Sequence, residues 1–331
     1  MKYRQLGSTG IDVSEIGLGT WNVGPMWDDV DDTTVLETFE TAIESDINTI
    51  DTAEVYGDGR AERLIGELLA DRQADRNKLF VPTKAAPDED GHHTESGLRN
   101  SVSGSLDRLG TDSLDLVQLH CPETDAFYEP ETFRALEDLK SEGLIDHAGV
   151  SVEKVEEATK AIEYDVIESV QIIFNPLRQR PCERFFERAA SANVGIIVRV
   201  PLASGLLAGA FDGIEDFGED DHRRWAAEEG VEAGIGRKGG ETFAGVPFDE
   251  GLEAVADLRR LVPENATMAQ FTLRWVLDHD AVSTVIPGST SPTHVKENAS
   301  ATELSPLSHE THGAVRDIYE DHVAEYVHHR W

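Results

Sequence analysis

The chain has 331 residues, with 64 acidic side chains against 29 basic ones and a formal net charge of −35. A surface of that sign cannot neutralise phosphates, which argues against a nucleic-acid partner. No apolar run approaches the ~20 residues of a membrane helix, and the two cysteines, Cys121 and Cys182, make neither a disulfide framework nor a zinc-type spacing. Only eight residues are lysine, and the acids are spread through patterned segments rather than gathered in a tail. Self-repulsion at this charge destabilises a compact fold unless salt screens it; at ~1 M salt the Debye length is about 3 Å. The expectation is a folded domain suited to a salt-rich cytoplasm, as in halophilic archaea. Met1-Lys2-Tyr3-Arg4-Gln5 enters a patterned segment without a visible secretory signal, so a reducing cytoplasm is the expected location.

Residues 3–13 read as a hairpin around Gly7-Ser8-Thr9-Gly10. Ile16-Gly17-Leu18-Gly19-Thr20 then reads as a first buried strand. Further apolar strands are predicted at 47–50, 79–83, 115–119, 146–150, 168–173, 195–200 and 282–286. Helical periodicity is predicted at 32–45, 61–70, 95–109, 131–141, 153–163, 182–192, 249–262 and 268–278. Strand followed by helix, repeated about eight times, implies parallel strands with helical crossovers. Such strands are covered on both faces and read as apolar runs. An open doubly wound sheet would carry a Gly-x-Gly-x-x-Gly turn after a strand; none is present, so a single α/β domain over 1–331, a (β/α)8 barrel, is expected. The glycine-rich stretch 203–247 breaks the rhythm after the seventh strand and reads as a lid or clamp over the barrel mouth.

Four polar residues end or follow successive apolar runs: Asp51 after Ile47-Asn48-Thr49-Ile50, Tyr56 one short loop later, Lys84 after Leu79-Phe80-Val81-Pro82-Thr83, and His120 after Leu114-Asp115-Leu116-Val117-Gln118-Leu119. In a parallel barrel these ends converge on one mouth. A phenol beside an ammonium is expected to have a lowered pKa. Asp51 can hold Lys84 charged, and His120 can hydrogen-bond an oxygen gaining negative charge. Together they make a proton-donating site for a carbonyl, or in reverse a proton acceptor for an alcohol. Trp21, Trp27, Tyr56, Phe127 and Trp225 lie in loops after strands and are candidate pocket walls. His92 and His93 have no partner at metal-ligand spacing and read as exposed loop residues.

Asp51-Thr52-Ala53-Glu54-Val55-Tyr56-Gly57, Val81-Pro82-Thr83-Lys84 and Leu119-His120 closely resemble the signature segments of the aldo-keto reductases. Further similarity runs from Arg4-Gln5-Leu6-Gly7 to Glu297-Asn298. The resemblance implies a barrel that binds a nicotinamide cofactor, NADP or NAD, in extended form. It makes Tyr56 the proton donor, Lys84 and Asp51 its tuning pair, and His120 the residue that orients the carbonyl. It assigns Thr20, Trp21, Asp51, Ser151 and Gln171 to the nicotinamide end, with Phe174 on the ring face. Pro201, Leu202, Gly205 and Leu207 resemble the pyrophosphate loop. Pro287, Gly288, Ser289, Thr290, His294, Glu297 and Asn298 resemble the adenosine-end segment. Two departures stand out: Val152 follows Ser151 where many relatives have Asn, and no Lys or Arg occupies Gly288–His294, where NADP-selective relatives place a cation for the 2′-phosphate. Weak discrimination for NADP, and use of NAD, is therefore expected. The resemblance leaves three activities open: a reductase of aldehydes, ketones or sugars, a sugar 1-dehydrogenase, or a cofactor-binding regulatory subunit like the potassium-channel β subunits. It also leaves open a homo-oligomer of the chain; the remaining partner expected is a small carbonyl or alcohol substrate.

Overall fold

The computed structural model describes residues 1–24, 27, 30–72, 76, 78–88, 92–219, 221–236 and 239–331. Strands β1 (Tyr3–Gln5) and β2 (Asp12–Ser14) pair antiparallel as the expected hairpin. Eight parallel strands follow: β3 (Leu18–Gly19), β4 (Ile50–Asp51), β5 (Pro82–Ala85), β6 (Leu114–His120), β7 (Ile145–Val152), β8 (Ile167–Ile173), β9 (Gly195–Arg199) and β10 (Val282–Val285). β5 to β10 form one continuous sheet in chain order, and β3 pairs with β4. Single parallel bridges Thr49–Phe80, Ile16–Val285 and Gly19–Gly288 join the two pieces at both edges. The sheet thus closes into the barrel expected from the alternating pattern, with no free edge.

Within the barrel, Leu6, Val13, Phe80, Leu116, Ile197 and Ile286 form one buried cluster. Leu6 comes from the turn after β1, so the hairpin plugs the end opposite the strand termini that carry the site. Gly7 shows how tight the plug is: its φ is +52° and a Cβ there would lie 2.2 Å from the Gly195 amide nitrogen. Strand alternation then sets what reaches the mouth. Two residues beyond Phe80, Leu116 and Ile197, or four, the same inward rows arrive at Lys84, Gln118, His120 and Arg199.

The outer helices are α1 (Asp32–Glu44), α2 (Arg60–Asp71), α3 (Glu95–Leu109), α4 (Pro130–Ser141), α5 (Val155–Ala161), α6 (Arg180–Arg184), α7 (Phe186–Ser191), α8 (His222–Glu229), α9 (Phe248–Leu258), α10 (Met268–Leu277), α11 (Pro292–Ser300), α12 (His309–His322) and α13 (Ala324–Val327). They bury apolar stripes such as Val35, Phe39 and Ala42 in one core layer around the strands. Local chemistry sets several ends. Asp31, Thr94 and Thr267 cap their helices by accepting the amides of Thr34, Gly97 and Gln270. The helix expected over 182–192 is two pieces, broken at Phe185, and α8, α11, α12 and α13 extend beyond the expected set. Among the described residues no helix is long and apolar enough to cross a membrane.

Candidate active site

Asp51, Tyr56, Lys84 and His120 come together at the strand ends. Lys84 Nζ donates to Asp51 Oδ1 at 2.5 Å, to the Thr52 carbonyl at 2.8 Å and to the Tyr56 hydroxyl at 3.1 Å. The ammonium is sealed from solvent, so all three of its donors are used inside the protein. His120 stands edge-on to the Tyr56 ring, with centroids 6.0 Å apart. Asp51 is itself held: its Oδ2 accepts from Gln171 Nε2 at 2.8 Å and from Gln118 Nε2 at 3.4 Å. Gln118 escaped the sequence reading although it lies in the inward row, two residues before His120.

Charges in this nest follow from burial and neighbours. Burial pushes the Tyr56 phenol up to about 12; Lys84 pulls it down, while Asp51 and Glu241 push it further up. The expectation of a lowered phenol pKa is therefore overturned: the ammonium acts in the expected sense, but desolvation of the phenolate is the larger effect. Burial also draws on Lys84, yet Asp51 and Tyr56 outweigh it and raise its pKa. Burial holds His120 well below the usual histidine range, with the cations Lys84 and Arg199 adding to it. The site at neutral pH is thus a neutral phenol, an ammonium paired with a carboxylate, and a neutral imidazole.

Tyr56 and Asp51 open onto a cavity of about 420 Å³. Of the sequence-predicted cofactor residues, Thr20, Trp21, Gln171, Pro201, Leu202, Gly205, Pro287, Gly288, Ser289, Thr290, His294, Glu297 and Asn298 line it, as does Trp27. At Gly288 a Cβ would lie 2.0 Å from Asn22 Oδ1, so a larger residue there would have to displace that side chain. Three expected residues do not face the cavity. Phe174 follows β8 in the outward row and packs in the core against Phe186, Trp275 and His279. Gln171, three residues earlier, is inward, so strand alternation forbids Phe174 from sharing its face. Ser151 is fully buried against Cys121, whose Sγ is 3.8 Å from its Oγ. Leu207 is buried, and it is its carbonyl that is engaged, by the Thr272 hydroxyl at 3.1 Å. Two candidate walls also fall elsewhere: Phe127 is core, and Trp225 lies partly exposed on α8. His93 corrects another expectation, being buried with Nε2 2.9 Å from the Ala85 carbonyl. His92 is only partly exposed and meets Glu129.

The 203–247 loop is ordered into short 3-10 turns and α8 over its described residues, and it supplies Ser204, Gly205, Ala208, Ala210, Phe211, Arg223 and Glu241 to the cavity. Arg223 is paired with Asp221 and stacks near the rings of Trp27, Phe211 and Phe217. His222 is buried edge-on to Trp21 and Trp27. Cys121, Glu153 and Glu241 bring a thiol and two carboxylates within 4.8 Å of one another. The Arg199 guanidinium bonds both Glu241 and Cys121 there and already supplies the cation.

The sequence profile of the aldo/keto reductase family matches residues 15–320. The chain belongs to this family. It is 28% identical to the uncharacterized oxidoreductase YqkF of Bacillus subtilis, over 97% of this chain and 99% of that one. It is also 28% identical to the NADH-specific methylglyoxal reductase of Escherichia coli, over 92% and 94% of the two chains. Among solved structures, the glycerol dehydrogenase AKR11B4 from Gluconobacter oxydans matches with a TM-score of 0.78 at 27% identity, covering 97% of this chain and 96% of that one. As an aldo/keto reductase the chain is an enzyme of the class that acts on carbonyl and alcohol groups, and the family typically uses NAD(P)H.

Proposed function

We propose that the chain interconverts carbonyls and alcohols by NAD(P)(H)-dependent hydride transfer, with Tyr56 as general acid and base. The observation that carries this reading is the Lys84 ammonium 3.1 Å from the Tyr56 hydroxyl, fixed there by Asp51. In reduction the phenol gives its proton to the oxygen that was the carbonyl, and the nearby ammonium stabilises the phenolate left behind. His120, neutral, hydrogen-bonds that oxygen and orients it. Gln118 and Gln171 keep Asp51 from rotating away from Lys84. The bound nicotinamide supplies or accepts the hydride.

The cavity residues fit such a cofactor. Gln171, at the catalytic end, offers an amide for the carboxamide. The Pro201–Gly205 turn gives a low wall, at which Gly205 has a φ of +96° and Arg223 stands beside it as a cation for a pyrophosphate. At the far end the wall is Ser289, Thr290, His294, Glu297 and Asn298, with no Lys or Arg; Lys296 is exposed and outside it. A carboxylate there accepts ribose hydroxyls and repels a 2′-phosphate, which supports use of NAD. The relative named as NADH-specific is consistent with that reading.

The test is oxidation of NADH and NADPH with a panel of aldehydes in concentrated KCl, comparing wild type with Tyr56→Phe. The variant should bind cofactor but turn over about 10²–10⁴-fold more slowly. Equal rates would remove Tyr56 from the mechanism. A wild type that binds cofactor and reduces none of the panel would instead favour a regulatory subunit.

A further inference from the structure

Helices α5, α6 and α7 and the residues after α13 enclose an open groove of about 600 Å³ that shares no residue with the cavity described above. Its walls carry Lys160 from α5, Arg180 and Arg184 from α6, Arg188 from α7, and His328 and His329. Two carboxylates, Glu156 and Glu163, line it as well. Four fixed cations against two fixed anions leave the groove at +2 with its histidines neutral, in a chain whose net charge is −35. Arg180, Arg184 and Arg188 recur every fourth residue, the spacing of one helix side. The break at Phe185 does not turn the row aside: φ is −118° and ψ −40° there, and the Phe185 amide still donates to the Pro181 carbonyl at 2.9 Å. Like charges at this spacing repel and weaken a helix, so helix stability does not account for the row.

Partners divide these cations into two sets. Arg180 is used by the fold: it pairs with Glu156 and donates to the Trp331 carbonyl at 2.7 Å. The Trp331 indole in turn packs so closely that a Cβ on Gly240 would lie 2.8 Å from it. Lys160 donates to Glu163 at 2.6 Å and stands over the rings of Tyr128 and Tyr164, 5.3 and 5.2 Å from their centroids. His328 meets the Tyr319 hydroxyl at 3.0 Å. Glu183, beside Arg184 in the chain, is turned to Arg316 and His328. Arg184 and Arg188 differ from all of these. Among the described residues they are the two arginines that make neither a hydrogen bond nor an ion pair. Acidic side chains outnumber basic ones by 64 to 29, so no shortage of carboxylates explains two neighbouring arginines left unpaired on one wall.

We propose that this groove binds a small molecule with two neighbouring oxyanion groups, phosphate or carboxylate, held by Arg184 and Arg188. Guanidinium forks meet such oxygens bidentately. Residues four apart on a helix have Cβ atoms about 6 Å apart, a spacing that suits two joined anionic groups. The volume falls within the ~300–1,000 Å³ of small-ligand sites. Tyr128, 67% exposed on the same groove, adds an apolar platform beside the charges. Larger anions are disfavoured: a nucleic acid or an acidic protein face would meet the field of the whole acidic chain as well as the two arginines. The inference does not depend on the oxidoreductase reading above.

The test is calorimetric titration of the full chain with pyrophosphate, citrate and, as a single-anion control, sulfate, at the lowest KCl concentration that keeps it folded. Pyrophosphate or citrate should bind at least about tenfold more tightly than sulfate, and the tighter of the two tells a phosphate source from a carboxylate one. Replacing both arginines, Arg184→Gln with Arg188→Gln, should weaken the tighter probe by at least about tenfold. Both side chains are exposed, so the fold should survive, which circular dichroism checks. Sulfate binding as tightly as either probe, or an unchanged affinity in the double variant, overturns the proposal. Binding that survives in the double variant but is lost in Arg223→Met belongs to the other cavity and overturns it too. Wild type alone gives a second measurement: exposed charges are screened by salt, so affinity should fall as KCl rises, and a salt-independent affinity rejects the site. A dimer seen by sedimentation in wild type and lost in the double variant, with no anion bound, would make this face a contact between two copies instead.

Discussion

Asp51 and Gln171 reach the cavity from strands β4 and β8, with Lys84 on β5 and Gln118 on β6 buried behind them and bonded to Asp51, whereas Arg223 and Glu241 reach it from one loop. The strand-borne group is rigid because each side chain follows from the pleat and each strand is hydrogen-bonded on both sides. The loop-borne group is held by ion pairs, aromatic contacts and left-handed backbone. The two groups therefore rest on separable supports, and damage to one should leave the other recognisable.

The strongest break falls on the strand side. Lys84→Met leaves Asp51 buried without its counter-charge, which should cost about 3–5 kcal/mol in denaturant unfolding as well as most of the activity. An unchanged unfolding midpoint would mean that the pair contributes nothing to the fold. A smaller effect is expected at the far end of the cavity. His294→Arg adds a fixed cation to the cavity segment proposed to meet a 2′-phosphate; a hydrogen bond to a charged group is worth ~1.5–3 kcal/mol, so the NADPH-to-NADH ratio of kcat/KM should rise about 10- to 100-fold. A wild-type ratio already about a hundredfold in favour of NADPH would contradict the reading of that wall.

The smallest effect concerns the loop and acid. Burial pushes His222 down from 6.5 to about 4, with Arg223 adding to it and Asp221 and Glu241 opposing it. The folded state holds the neutral ring, so this contribution to stability is complete above the unfolded value and is lost as pH falls through the folded one. Protease cleavage within 203–247 should thus increase between pH 6.5 and about 4, and His222→Leu should blunt that increase. An identical acid profile in the variant would remove His222 from the docking of the loop.

Much of the strand side was legible in the sequence, because an apolar run ending in one polar residue is a direct image of a buried parallel strand with a functional tip. The same signal was present at Ile196-Ile197-Val198-Arg199 and went unread, as did Gln118 within its run. Phe174 was misplaced because similarity of motif says nothing of which row of the pleat a residue occupies. Ser151 and Leu207 were misplaced for a different reason: their segments reach the site, but their side chains are sealed by neighbours remote in sequence. Glu241 had no local signal at all. Its place depends on Arg178, Arg199 and Trp331, which lie far from it along the chain.

Trp331 gives that last dependence a direction in time. Strand β10 ends at Val285, yet the indole that braces the Gly240–Gly245 turn comes only at residue 331. A chain emerging from the ribosome at ~5–20 residues per second can close its barrel and seat Lys84 against Asp51 before the brace exists. The Lys84–Asp51 pair can then form first, and the Gly240–Gly245 turn gains its brace only when translation reaches Trp331.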